Sequence, residues 1–151
     1  MILDLTAEEK YYYWIMISIG LDEELVGYIC NCVESNEQIS DLILELYNEA
    51  QDKYAPKRIL YKSLIKSNVI NKESVKVRID KYFYINLLNK TFTPSQIGEY
   101  IEKIYDLEPD WSDFEWIREN YSLARDGIFS SEDADNRLCK YLKDSASTNA
   151  E

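Results

Sequence analysis

The chain has no histidine in its 151 residues. That removes the commonest general acid–base near neutral pH, and with it every Ser–His or Cys–His nucleophilic pair. Glycine and proline are scarce, at four and three residues, too few turn-formers for an all-β protein of this length. No apolar run approaches the roughly 18–20 residues that span a bilayer. The longest candidate, Tyr11–Leu21, follows two glutamates and contains Gly20. It also lacks the basic flank and small-residue cleavage site of a signal peptide, so a cytosolic protein without membrane contact is expected. Cysteine is limited to Cys30, Cys32 and Cys139. An odd number without a secretory signal argues against a disulfide framework. On a helix the i and i+2 thiols of Cys30 and Cys32 diverge by about 200°, a poor start for a zinc site. Gly-x-Ser-x-Gly, P-loop and Gly-x-Gly-x-x-Gly motifs are all missing. No catalytic residue, metal or cofactor is therefore assigned, and most enzyme classes are disfavoured.

What is present is charge sorted by position. Residues 1–50 hold 11 acids and one base, residues 51–90 three acids and ten bases, residues 91–151 fourteen acids and six bases; the segment balances of −10, +7 and −8 make the net −11. Such a field opposes nucleic acid and anionic membranes acting on the molecule as a whole and favours a basic partner.

Helix signals recur along the chain. Thr6 and Glu9 form a capping box, and Gly20 is a stop. Asp22 can cap a second helix with Leu25, Val26, Ile29 and Cys32 on one face, where Gly27 either weakens the helix or marks a close crossing. Ser35 or Asn36 can cap a third, with Ile39, Leu42, Ile43, Leu46, Tyr47 and Ala50 as its apolar stripe. Pro56 suits the first turn of a fourth, with Ile59, Leu60, Leu64 and Ile65 inward. Residues 75–79 alternate like a half-buried strand, yet Val75, Ile79, Tyr82, Phe83 and Leu87 also match a helix, which their helical neighbourhood favours. Thr93 and Gln96 form a second capping box, with Ile97, Ile101, Ile104 and Tyr105 inward and Pro109 as the stop. Further helices are expected over Ser112–Glu119 and Ser131–Lys143. The predicted architecture is all-α: a single-domain compact bundle of six to eight short helices over residues 1–143, with a disordered tail at 144–151.

The densest candidate site lies in 106–117, where Asp106, Glu108, Asp110, Asp113 and Glu115 accompany Trp111 and Trp116 with no base; Glu119 and Tyr121 extend it. Three readings are open. The aromatics can pack inward beneath a solvated acidic rim. The run can instead be a partner surface, with aromatic anchors ringed by carboxylates. Metal binding is the third, but an EF-hand loop counted from Asp106 would place Trp111 and Ile117 where glycine and glutamate belong. The ten bases from Lys53 to Lys90, interleaved with Tyr54, Tyr61, Tyr82 and Tyr84, either balance the acidic flanks or form an RNA-binding stretch.

In its size, its early Trp14-to-Gly20 helix, the stretch Ser40-Asp41-Leu42-Ile43-Leu44-Glu45-Leu46 and the acidic aromatic segment 106–121, the chain resembles the small acidic helical immunity proteins that accompany contact-dependent and polymorphic bacterial toxins. That resemblance implies a bacterial cytosolic protein that binds one cognate toxin domain, often a basic nuclease, and blocks its active or substrate-binding surface. The partner-binding residues expected on this reading are Asp106, Glu108, Asp110, Trp111, Asp113, Glu115, Trp116 and Glu119, with the acidic first fifty residues as the next candidate. Two alternatives stay open: an interaction or scaffold module unrelated to toxins, binding RNA through 53–90, and a carboxylate-based enzyme.

Overall fold

The computed structural model describes residues 2–67 and 69–148, and the fold is all-α. Eight helices and one minimal sheet occur among the described residues: β1 (Ile2–Leu3), α1 (Ala7–Ser18), α2 (Glu23–Glu34), β2 (Gln38–Ile39), α3 (Asp41–Asn48), α4 (Ala55–Ile65), α5 (Lys72–Leu88), α6 (Pro94–Leu107), α7 (Ser112–Arg125) and α8 (Ser131–Thr148). The chain divides into two compact units, residues 1–75 and 76–151, with the division inside α5.

In the first unit, the Thr6 capping box closes as expected. Glu9 N–H donates to Thr6 Oγ1 at 3.1 Å, and Thr6 N–H donates to Glu9 Oε1 at 2.9 Å. Tyr12, Ile15 and Met16 are buried on α1, which packs on α4. Gly20 adopts a left-handed φ of 89°, the conformation that lets the chain leave α1. β1 and β2 pair in parallel, Ile2 opposite Gln38 and Leu3 opposite Ile39. Ile39 therefore belongs to a strand, and α3 is capped by Ser40 rather than by Ser35 or Asn36. Ser40 Oγ accepts from Ile43 N–H at 3.2 Å and donates to Asp4 Oδ1 at 2.8 Å. The shorter α3 buries Ile43 and Leu46 and leaves Tyr47 and Ala50 outside. Ile65, expected inward at the end of α4, is also exposed. Asp22 holds the N-cap position of α2 without a side-chain cap bond. The space beside Gly27 is open, so it marks no close crossing.

In the second unit, the Thr93 box closes with Gln96 at 3.2 and 2.8 Å. α6, α7 and α8 pack against one another around Ile97, Ile101, Ile104, Phe114, Ile117, Leu138 and Leu142. The close crossing falls at Gly98, where α6 meets the ring of Tyr121. α7 continues six residues beyond Glu119. α8 runs to Thr148 through the first part of the expected tail, with Ser145 and Ser147 hydroxyls donating to Asp80 Oδ2 and Lys143 O. Residues 149–151 lie outside the described residues.

The α5 stretch that could be read two ways is helical throughout. Val75, Ile79 and Phe83, spaced i, i+4 and i+8, are all buried, whereas Val77 is only partly so. Helical burial has won over alternation.

Candidate functional site

The acidic aromatic run sits on the turn between α6 and α7 and on α7 itself. A helix turns each successive residue by about 100°, so the run is distributed over several directions rather than presented as one face.

Two of its members point inward. Trp111 is the N-cap residue of α7, 3% exposed, with its ring edge-to-face on Phe114 at 5.7 Å. Glu108 closes α6 and is also buried, its N–H donating to Ile104 O at 2.9 Å. Both were expected at the partner surface. Closing a tight helix–helix turn over the core takes them away from it.

Asp106, Asp110, Glu115 and Glu119 are exposed. Glu115, Glu119 and Ser122 follow one ridge of α7 at i, i+4 and i+7. They border a groove of ≈ 460 Å³ shared with Glu102, Tyr105 and Asp106 of α6 and with Arg118 and Arg125. Arg125 Nη1 lies 2.6 Å from Glu102 Oε1, and this carboxylate holds the guanidinium pKa above its ordinary value. Arg118 reaches Asp106 only at 4.0 Å and caps the ring of Tyr105. Among the described residues Glu115 and Glu119 make no ion pair. Four carboxylates against two guanidiniums leave the groove with an excess of two negative charges.

Asp113 and Trp116 turn toward α8. Asp113 Oδ2 is 2.8 Å from Lys76 Nζ, and the Trp116 ring, half-buried, stands edge-on to Tyr141 at 6.1 Å. This brings them to a polar cluster with no counterpart in the sequence reading. Lys76 Nζ donates to Tyr141 Oη at 2.7 Å, and Tyr141 Oη donates to Asp80 Oδ2 at 2.7 Å, which also accepts from Ser145 Oγ at 2.9 Å. Asp80 is 1% exposed, and among the described residues its Oδ1 has no partner. Burial raises its carboxyl pKa, against the opposing pull of Lys76, Tyr141 and Ser145. Its partners Lys76, Tyr141 and Ser145 line a hollow of ≈ 480 Å³ together with Asp113 and Trp116. The part of Asp80 is to tie α5 to α8. The only local hint in the sequence is the i, i+4 pair of Lys76 and Asp80; Tyr141 and Ser145 are more than sixty residues away.

The next candidate, the acidic first fifty residues, shows exposed Glu23 and Glu34 on α2, exposed Asp41 and Glu45 on α3 and exposed Glu49 at its C-cap. A groove of ≈ 700 Å³ is lined by Leu25, Val26, Ile29, Leu46 and Tyr47, with Asp22 and Asp52 among its polar residues. Asp52 accepts from the N–H groups of Tyr54 and Ala55, which hold its carboxyl below the usual range and cap α4.

Among the described residues no cluster of three His, Cys, Asp or Glu is placed to hold a metal ion. No helix there is long and apolar enough to cross a membrane. Comparison of the chain with family models, curated proteins and solved structures finds no match.

Proposed function

We propose that this chain is a binding protein that captures and neutralises a basic protein domain, in the manner of the immunity proteins of bacterial toxin systems, with a nuclease domain as the partner. The reading rests chiefly on the outward set Asp106, Asp110, Glu115 and Glu119, the last three of which make no ion pair among the described residues. Carboxylates on such a surface steer a cationic partner and compete for the positions where it would hold phosphates. Trp116, half-buried beside the α7 ridge, supplies an aromatic anchor. In this reading the protein works in the bacterial cytoplasm and needs no cofactor. Asp113 is engaged by Lys76 and contributes little.

The test begins with a pull-down using the product of the adjacent upstream gene, followed by stopped-flow association. The triple variant Asp110→Asn, Glu115→Gln, Glu119→Gln should associate about tenfold more slowly at low salt and show a flatter salt dependence. An unchanged on-rate and affinity would rule this surface out and turn attention to the exposed acids of the first fifty residues.

A further inference from the structure

The basic middle of the chain is divided by the structure. Lys72 lies over the ring of Tyr11, and Lys76 is held by Asp113, Tyr141 and Asp80. The bases of α4 are different. The helix contains no acidic residue, and among the described residues none of Lys57, Arg58, Lys62 and Lys66 lies within 4.0 Å of a carboxylate. They are not there to balance the acidic flanks by direct pairing.

Lys57, Arg58 and Lys62 flank exposed rings on one side of α4, whereas Lys66, nine residues from Lys57, is turned about 180° from it. Tyr54 and Tyr61, 64% and 52% exposed, are seven residues apart, with Lys57 and Arg58 between them and Lys62, Ile65 and Lys66 following. From Tyr54 to Ile65 this side is about 16 Å long at 1.5 Å per residue. At its centre Trp14 of α1 and Tyr61 stand 6.0 Å apart with their planes 35° from parallel, beside a hollow of ≈ 450 Å³. Lys57 Nζ lies 6.0 Å from the Trp14 ring centre, and Lys53 Nζ 5.7 Å from that of Tyr54. The other flank is less favourable to anions, because Glu45 and Glu49 share a small hollow with Arg58 and Lys62.

We infer that the Trp14–Lys57–Tyr61 side of α4 binds single-stranded nucleic acid without sequence preference, its rings stacking on bases and its lysines meeting phosphates. A polyanion carrying planar apolar rings matches both halves of this surface. A carboxylate-rich peptide matches only the cations, and a duplex hides its base faces. The net charge of −11 does not forbid it, since repulsion from distant carboxylates is screened beyond about 8 Å at physiological salt. This activity is separate from capture of a basic partner.

Fluorescence anisotropy with 5′-labelled dT20 and U20 tests it. Micromolar affinity is expected at 50 mM salt. With about three phosphates neutralised, binding should weaken about 15- to 20-fold at 200 mM. Lys57→Ala with Lys62→Ala should weaken it at least fivefold, and Tyr61→Ala by about fivefold or more, with Lys103→Ala as the unaffected control. Circular dichroism confirms folding; if Tyr61→Ala fails to fold, Tyr61→Leu replaces it, since leucine preserves bulk but cannot stack as a ring does. The Asp110, Glu115, Glu119 triple variant should bind the oligonucleotide within twofold of wild type, which separates this site from the partner surface. No binding at 100 µM protein overturns the inference. So does affinity indifferent to residue 61, or polyglutamate competing as well as unlabelled dT20, either of which would make this a contact for acidic protein. Tighter binding to a duplex overturns it as well.

Discussion

Gly98 on α6 lies directly against the ring of Tyr121 on α7. A Cβ at Gly98 would stand 2.6 Å from Tyr121 Cε2 and less than 3 Å from two further ring atoms. The ring cannot easily yield, because its hydroxyl donates to Asp135 Oδ1 at 2.6 Å and sits 3.3 Å from Pro94 O. Burial and the Asp135 carboxylate push the Tyr121 pKa upward, keeping the hydroxyl a donor.

The first prediction follows from that contact. Gly98→Ala gains up to about 1 kcal/mol in helix propensity and loses about 1–3 kcal/mol to overpacking, so a net destabilisation of about 1–2 kcal/mol is expected. Gly27→Ala on α2, with open space around it, should instead stabilise by up to about 1 kcal/mol. Denaturant melts of both variants decide; equal shifts in one direction would refute the distinction.

The second concerns pH. Burial is the largest influence on Asp80 and raises its carboxyl pKa in the fold. A raised folded-state pKa means that the native state binds the proton more tightly than the unfolded chain. The native state is therefore favoured at acid pH, and this advantage is lost as pH rises from the ordinary aspartate value of about 3.9 through the raised one. Asp80→Asn cannot titrate. The stability of wild type minus that of Asp80→Asn should become more favourable to wild type as pH falls from 7 to 4, acid unfolding through other carboxylates being common to both. A difference that is flat, or of opposite slope, would show that the Lys76, Tyr141 and Ser145 contacts outweigh burial.

These relationships were unevenly legible in the sequence. The capping boxes at Thr6 and Thr93 could be read because donor and acceptor lie three residues apart. The α5 face could be read because Val75, Ile79 and Phe83 repeat at helical spacing. The sheet could not, since two dipeptides 36 residues apart carry no periodicity, and it displaced the α3 cap to Ser40. Gly27 and Gly98 look alike in sequence, and only the neighbour Tyr121 distinguishes them. The run 106–121 was visible as a composition but not as a surface. Helical rotation sends Glu115 and Glu119 outward and Asp113 toward Lys76, while Trp111 goes into the core.

A third prediction uses that last separation. Trp111→Ala should cost about 3–5 kcal/mol of stability, as expected for a large buried aromatic. Trp116→Ala should cost less in melting and, if the partner docks on the α7 ridge, about 2 kcal/mol or more in its binding. Measuring both quantities for both variants is decisive. A folded, stable Trp111→Ala protein would contradict its buried position, and full partner affinity in Trp116→Ala would remove it as an anchor.

The fourth concerns the thiols. Cys30, Cys32 and Cys139 are all free, and they differ in access: Cys30 is exposed on α2, Cys32 is buried on the opposite side of the same helix, and Cys139 is half-buried on α8. Burial also raises the Cys139 pKa, reducing its thiolate fraction at neutral pH. Titration of the native protein with a disulfide reagent at pH 7.5 should therefore release one equivalent quickly, abolished by Cys30→Ser, with two more on unfolding in guanidinium. Reductant should leave the melting temperature unchanged. Fast reaction of Cys32 would mean that α2 opens far more readily than its packing through Leu25, Ile29 and Cys32 implies.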